Sequence, residues 1–208
     1  MCDDHHHHHH GHDHSHDPED NSAQFSLYMK IDLDSLQCLN EREDGSGKTI
    51  FKPWDERFNQ EKCVESDVDA ELLFNIPFNG TVKLKALSII GGENMSFPKE
   101  MRLFKNIPDM TFDNTEKEAD QVFSFPSPGN ELILLKFPTK AAKFSNLSHL
   151  SIFFPDNGRE STKIYYIGLA GDFMQAQREA LVVTNYELRA NPADHKTSLF
   201  DQSSHMIS

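Results

Sequence analysis

The sequence predicts an all-β protein, a sandwich or barrel built from short strands. From residue 27 onward, short apolar runs alternate with turn residues at spacings of roughly eight to twelve residues, which is typical of such folds. The apolar content includes 16 phenylalanines in 208 residues, and large rings and β-branched side chains favour sheet over helix. Long helical periodicity is missing.

Ten segments carry the strand pattern. They are short, rich in β-branched and aromatic residues, and bounded by polar or turn-forming residues. In chain order they cover residues 27–33, 49–51, 71–76, 82–90, 101–105, 122–125, 132–137, 147–154, 163–169 and 181–186.

The fourth of these strands shows the clearest alternation. Val82, Leu84 and Ala86 are predicted to share a buried face, with the apolar residues that follow, while Lys83 and Lys85 point away from it. One face of this strand is therefore expected to be buried and the other to be exposed to solvent.

Turns and helices are predicted at few places. Asn79-Gly80 and Asn157-Gly158 each lie between two strand-like runs, and Asn-Gly tolerates the positive φ angles of tight turns, so both are interpreted as hairpin or loop tips. Residues 172–180 and 32–39 could each form a short helix. The order of the elements resembles a jelly-roll sandwich.

Charge and hydropathy exclude several kinds of partner. The net charge is −13, and an acidic chain without a basic stripe is a poor ligand for nucleic acid. No run approaches 18 apolar residues, and the acidic, His-rich start lacks the features of a signal peptide, so no membrane contact is expected. We expect a monomer in the cytoplasm and nucleus.

The cysteines do not form a redox or metal motif. Cys2, Cys38 and Cys63 are odd in number and contain no C-x-x-C pair, which argues against a disulfide framework or a compact zinc knuckle. No nucleophile elbow and no H-E-x-x-H pair is present either. The sequence therefore predicts no catalytic residue, no cofactor and no structural metal.

Several motifs along the chain together resemble one family, the PITH domain, over about residues 25–208. They are Cys38-Leu-Asn-Glu41, Phe51-Lys-Pro-Trp54, Glu65-Ser-Asp67, Leu72-Leu-Phe-Asn-Ile-Pro-Phe78, Met101-Arg-Leu-Phe-Lys-Asn-Ile-Pro108, Lys143-Phe-Ser-Asn146, Thr162-Lys-Ile-Tyr-Tyr-Ile-Gly168 and Asn191-Pro-Ala-Asp-His-Lys196. The closing run at residues 185–196 resembles the stand-alone members of this family rather than the thioredoxin-linked ones.

The resemblance implies both a fold and a role. It implies a galactose-binding-domain-like jelly roll at residues 23–190, between a disordered His/Asp-rich tail at 1–22 and a C-terminal extension at 191–208. It also implies a non-enzymatic interaction module, because a PITH domain ends the thioredoxin-like protein that associates with the proteasome regulatory particle. Redox activity is not implied, since the relatives carry it in a separate domain.

Two regions are candidates for contact with a partner. Trp54, the one tryptophan, follows a strand-breaking proline and lies near Lys52 and Arg57, which are expected to be exposed; its ring either covers the core or anchors a partner. At the C-terminal exit, the polar candidates are Asn191, Pro192, Asp194 and His195. Sequence adjacency of Asp194 and His195 does not supply the geometry of a catalytic triad.

The N-terminal histidines are interpreted as an adventitious metal-binding tail, native or an affinity tag. A floppy run of imidazoles and carboxylates cannot fix one coordination geometry. The residues concerned are His5, His6, His7, His8, His9, His10, His12, His14 and His16.

Two other functions remain open at this point. A small-ligand or carbohydrate-binding sandwich would use Trp54, Asp55 and Arg57 as its aromatic and polar platform. A regulator of gene expression acting through protein partners would need only the acidity and small size of the chain, because no DNA-binding motif is present.

Overall fold

Eight strands are formed by the residues that the computed structural model describes, 24–93, 96–126, 133–156 and 158–174. They are β1 (Gln37–Leu39), β2 (Val64–Glu65), β3 (Leu72–Gly91), β4 (Glu100–Lys105), β5 (Gln121–Ser124), β6 (Leu135–Pro138), β7 (Leu147–Phe154) and β8 (Lys163–Met174). One α-helical turn, Ser46–Thr49, and 3-10 helices at Tyr28–Lys30, Trp54–Glu56 and Phe112–Glu116 lie between them. The all-β prediction is confirmed.

The long strand β3 joins the two layers of the fold. Its first half, at residues 72–77, lies between β1 and β7, and β7 continues to β4 and then β5. Its second half, at residues 81–91, lies between β6 and β8, and β8 continues to β2. All of these pairs are antiparallel. One strand thus passes from one layer into the other.

The main core lies between these layers. It is dominated by aliphatic and phenylalanine side chains that alternate along the strands. On β3 its members are Leu72, Phe74, Ile76, Phe78, Val82, Leu84, Leu87 and Ile89, and they pack with residues that include Leu103, Leu150, Ile152, Phe154, Ile164 and Leu169 from the neighbouring strands.

A smaller core covers the other face of the first layer. Leu73, Phe104, Met110 and Phe153 form it. Asn75 lies on the same side of β3 and is 4% exposed, and its side-chain amide donates to the Met110 carbonyl oxygen at 2.8 Å. This hydrogen bond ties the loop after β4 to the sheet.

The alternation predicted for residues 82–90 holds only as far as Leu84. Val82 and Leu84 are fully buried and the Lys85 side chain is partly exposed, as expected. The pairing with β8 then shifts register between Leu84 and Ala86, so Lys85 is the extra residue of a β-bulge. After the bulge Leu87 and Ile89, rather than Ala86, face the main core, because one extra residue reverses the parity of the strand.

The hairpin tip predicted at Asn79-Gly80 is wrong, because β3 continues through it. A Cβ atom at Gly80 would lie 2.8 Å from the Phe173 ring, so this glycine allows a close approach by β8 rather than a turn. Gly158 does lie in the loop between β7 and β8 with φ of 68°, while Asn157 is outside the described residues.

The predictions for the N-terminal third are wrong in type. Residues 27–33 form a 3-10 turn held by isolated bridges, with Ser26 opposite Ala170 and Ile31 opposite Phe78. Thr49 ends the helical turn and residues 50–51 follow it outside any strand, whereas residues 32–39 end in strand β1 instead of a helix. For residues 27–33 and 37–39, pairing with β3 or β8 overrides the local preference.

The later strand predictions agree to within a few residues where the structure describes them. The expected strands at 101–105, 122–125, 147–154 and 163–169 correspond to β4, β5, β7 and β8. Asp172 to Met174 belong to β8, not to a helix, and residues 175–180 and 181–186 lie outside the described residues. Among the described residues, no helix has the length and apolarity needed to cross a membrane.

Candidate functional site

The segment after Phe51 leaves the core as a series of tight turns. Pro53 has φ of −54° and precedes the 3-10 helix Trp54–Glu56, a position that its fixed ring geometry favours. The amide of Glu56 donates to the Pro53 carbonyl at 3.0 Å, and that of Asn59 donates to the Glu56 carbonyl at 2.9 Å. The turns direct Trp54, Arg57 and Phe58 to one side of the segment and Lys52 and Asn59 to the other.

One side presents a cluster of rings and cations, which we call the Trp54 surface: Trp54, Arg57, Phe58 and Lys136. The Arg57 guanidinium carbon lies 4.2 Å from the centroid of the Trp54 ring and 4.6 Å from that of Phe58. The Lys136 ammonium of β6 lies 5.5 Å from the Trp54 ring. Phe58 is 52% exposed and Trp54 is half-buried.

Arg57 is held by stacking and by one hydrogen bond. Its Nη1 donates to the Trp54 carbonyl oxygen at 2.8 Å, while the buried Nε has no acceptor among the described residues. A guanidinium stacked on aromatic faces gains about 0.5–1 kcal/mol when exposed and more when desolvated. The cation therefore lies beside two rings, and no carboxylate of the described residues is within ion-pair distance of it.

Near Arg57 lies the Tyr166 side chain of β8, which is 1% exposed. Burial raises the pKa of Tyr166 to about 12, and the positive charge of Arg57 partly opposes that rise. A neutral phenol with such a pKa does not act as a base at physiological pH. Tyr166 is accordingly a buried structural residue near Arg57 and does not supply a base to the Trp54 surface.

Lys52 faces the opposite side of the segment. The sequence predicted that Lys52 would be exposed, and this prediction is wrong. Its side chain is only 8% exposed, and its ammonium donates to the Asn59 carbonyl oxygen at 2.6 Å. The apolar stem of a lysine can be buried while the charged end reaches a polar wall. Here that wall belongs to a cleft bordered by Tyr28, Lys48 and Lys62.

The Gly-rich turn before this segment is filled by a carboxylate of the chain itself. The amides of Gly45 and Gly47 donate to the two Glu41 oxygens at 2.7 and 2.6 Å. A Cβ atom at Gly47 would overlap the Cys38 side chain and crowd the Glu41 carboxylate. The turn is thus a structural cap, and its amides are not available to a phosphate.

The thiols in the described part of the chain do not form a dithiol site. Cys38 and Cys63 are both free and partly buried. Burial, reinforced by the Glu41 carboxylate, raises the pKa of Cys38 far above its ordinary value, so its nucleophilic thiolate is disfavoured. No cluster of three or more His, Cys, Asp or Glu side chains among the described residues could hold a metal ion.

The structure brings together part of the predicted site. Trp54 and Arg57 are in contact, and Lys52 lies on the other side of the same segment. Asn191, Pro192, Asp194, His195 and the nine N-terminal histidines lie outside the described residues. Sequence reasoning missed Phe58 and Lys136; the four-residue spacing of Trp54 and Phe58 was a signal for the first, but nothing local points to Lys136.

The architecture is shared with solved structures of low sequence similarity. The CBM32 domains of Clostridium perfringens ZmpB, in a complex with GalNAc, align with a TM-score of 0.52 at 13% identity, covering 74% of this chain and 38% of that one. A second structure of these domains gives a TM-score of 0.50, with 77% and 41% covered. Fold and site together define a galactose-binding-domain-like jelly-roll β-sandwich with an aromatic, cationic surface.

Sequence comparison gives the family. A sequence model of the PITH domain matches residues 17–190. PITH domain-containing protein 1 of Xenopus laevis is 51% identical over 193 residues, covering 92% of this chain and 91% of that protein. The Homo sapiens protein of the same name is 50% identical over 193 residues, covering 92% and 90%. The chain belongs to the PITH-domain family.

Proposed function

We propose that this chain is a non-enzymatic protein-interaction module that associates, as a monomer, with the proteasome regulatory particle in the cytoplasm and nucleus. The single observation that carries the proposal is Arg57 stacked between Trp54 and the half-exposed Phe58. Tryptophan and arginine are the residue types enriched at the energetic centres of protein interfaces.

The placement of this surface supports recognition over packing. None of the residues Trp54–Glu56 is fully buried, and Phe58 is exposed, so these side chains are accessible to a partner. Arg57 and Lys136 also give the surface a positive character within a chain of net charge −13. Such a local patch steers an acidic partner surface toward this side of the chain.

The carbohydrate alternative is not favoured at the same residues. A sugar stacks on an uncovered aromatic face, whereas the guanidinium of Arg57 and the ammonium of Lys136 already lie over the Trp54 ring. A glycan would have to displace a cation that is held at 4.2 Å from the ring. Protein recognition can use the rings and cations where they are.

The proposal is tested by capture from a cell extract. The immobilised chain should retain regulatory-particle subunits in stoichiometric amounts by mass spectrometry, and removal of residues 1–22 should leave this retention unchanged. Trp54→Ala should retain much less. Equal recovery on wild-type and Trp54→Ala beads, or no regulatory-particle subunits on either, would contradict the proposed function.

The non-enzymatic part makes a separate prediction about the thiols. We expect no turnover in insulin reduction, because the Cys38 thiolate is disfavoured by burial and neither Cys38 nor Cys63 has a resolving cysteine in a C-x-x-C pair. The assay is run with dithiothreitol and with thioredoxin as the positive control. Turnover that Cys38→Ser abolishes would show that the module has thiol–disulfide activity.

A further inference from the structure

The cleft on the Lys52 side of the segment has the dimensions of a small-ligand site. Its volume is about 460 Å³, which is within the usual range for ligand pockets. It lies between the 3-10 helix Tyr28–Lys30, the turn Ser46–Thr49 and the segment that follows Phe51. Leu33, Phe51 and Pro53 provide apolar wall, and the other lining residues carry polar or charged groups.

The buried cation in this cleft is poorly compensated. The Lys52 ammonium has three N–H donors, and among the described residues the Asn59 carbonyl is its one hydrogen-bond acceptor. No carboxylate of the described residues lies within ion-pair distance of it. Desolvation lowers the pKa of Lys52, although the more distant Glu56 and Glu61 carboxylates partly oppose this. A buried ammonium is costly unless an anion or further acceptors satisfy it.

The charges around the opening restrict which anion fits. Lys62 and Lys48 add two further cations, and the Lys48 ammonium also donates a hydrogen bond to the Asp34 carbonyl oxygen at 2.8 Å. Glu56 and Glu61 are exposed and line the same cleft. With Lys48, Lys52 and Lys62 against Glu56 and Glu61, the lining has one cation in excess, which a monoanion neutralises and a phosphate dianion would over-compensate.

We propose that this cleft binds a single carboxylate, which accepts hydrogen bonds from the two remaining N–H donors of Lys52. The carboxylate belongs either to a small organic acid or to an Asp, Glu or C-terminal group of a peptide. The site is independent of the Trp54 surface, since it uses the opposite side of the segment. It can therefore exist whether or not the chain binds the proteasome.

The test is a titration followed by NMR on the full chain, with sodium acetate as the probe and sodium chloride at equal ionic strength as the reference. Acetate should move the amide resonances of residues 48–62 and the Lys52 ε-methylene resonance along saturable curves, and chloride should not. The blocked peptide Ac-Gly-Glu-Gly-NH₂ forms the second arm. Tighter binding of this peptide than of acetate would assign the carboxylate to a peptide, and the reverse to a small acid.

Variants identify the residue responsible. Lys52→Met keeps the unbranched stem, removes the charge, and should weaken acetate binding about tenfold or more, the range for a charge-assisted hydrogen bond. Lys117→Met removes an exposed lysine outside the cleft and should have no effect. Three results would each overturn the proposal. They are unchanged acetate binding by a folded Lys52→Met variant, a wild-type Lys52 ε-methylene resonance that does not shift on acetate titration, and tighter binding of phosphate than of acetate.

Discussion

Replacing Phe74 by alanine is expected to lower the free energy of unfolding by about 3–5 kcal/mol. The Phe74 ring is fully buried at the centre of the first layer, where β3 lies between Cys38 of β1 and Ile152 of β7. It makes edge-to-face contacts with Phe51 and Phe154, each with ring centroids 6.0 Å apart. Its removal leaves a cavity between rigid strands that cannot collapse.

Urea denaturation followed by circular dichroism measures this loss. Val122→Ala is the matched control, because Val122 lies on β5 and is 50% exposed; it should change the stability by no more than about 0.5 kcal/mol. A loss below about 1.5 kcal/mol for Phe74→Ala would mean that the ring is not central to the core.

Trp54→Ala is expected to weaken binding to the regulatory particle by about 30-fold, or about 2 kcal/mol. The substitution removes the ring that orders Arg57 and that Lys136 approaches. Because Trp54 is half-buried rather than central to the core, the stability loss should be smaller than for Phe74→Ala. The affinity of the folded protein is measured by competition with labelled wild type.

Phe25→Ala is a suitable control for this experiment. Phe25 is 39% exposed and has the Lys85 ammonium 4.9 Å from its ring, but it lies near the C-terminal end of β8, where its carbonyl accepts from Gly171. Its loss should leave binding unchanged. If Trp54→Ala instead unfolds the chain and binding per folded molecule is unaltered, the tryptophan is part of the core.

The strands from residue 71 onward could be predicted because their residue types and their tertiary environment agree. The run at 147–154 is apolar, and the structure buries Leu147, Leu150, Ile152 and Phe154 in the main core. The bulge at Lys85 could not be predicted, because a one-residue insertion depends on what β8 presents opposite it. The turn predicted at Asn79-Gly80 was wrong for the same reason. The glycine is needed there because the Phe173 ring of β8 occupies the space that a side chain at residue 80 would take.

The N-terminal third was less predictable because its conformation is set by contacts far away in sequence. Residues 37–39 become a strand by pairing with residues 73–75, although their own pattern permits a helix. The turn at residues 45–49 depends on Glu41, whose carboxylate accepts the amide hydrogens of Gly45 and Gly47. The strand pairing leaves no local signal, whereas the Glu41 contacts are local, four and six positions apart, and were not recognised in the sequence.

Residue type was a better guide to the members of the candidate site than adjacency in the sequence. Trp54 and Arg57 were found as a rare ring and a nearby cation, and they do contact each other. Lys52 was expected beside them because it is adjacent in sequence, but the turn at Pro53 directs it into the cleft on the other side. Lys136 reaches the same ring from β6, 82 positions along the chain, which only the fold determines.

The most direct test of the proposed interaction is a binding titration of the folded wild-type chain against purified proteasome regulatory particle. Saturable binding at one chain per particle, weakened about 30-fold by Trp54→Ala and unchanged by Phe25→Ala, is the predicted result. Absence of binding by wild-type chain whose circular dichroism shows the folded β-sandwich, or equal affinity of wild type and Trp54→Ala, would contradict it.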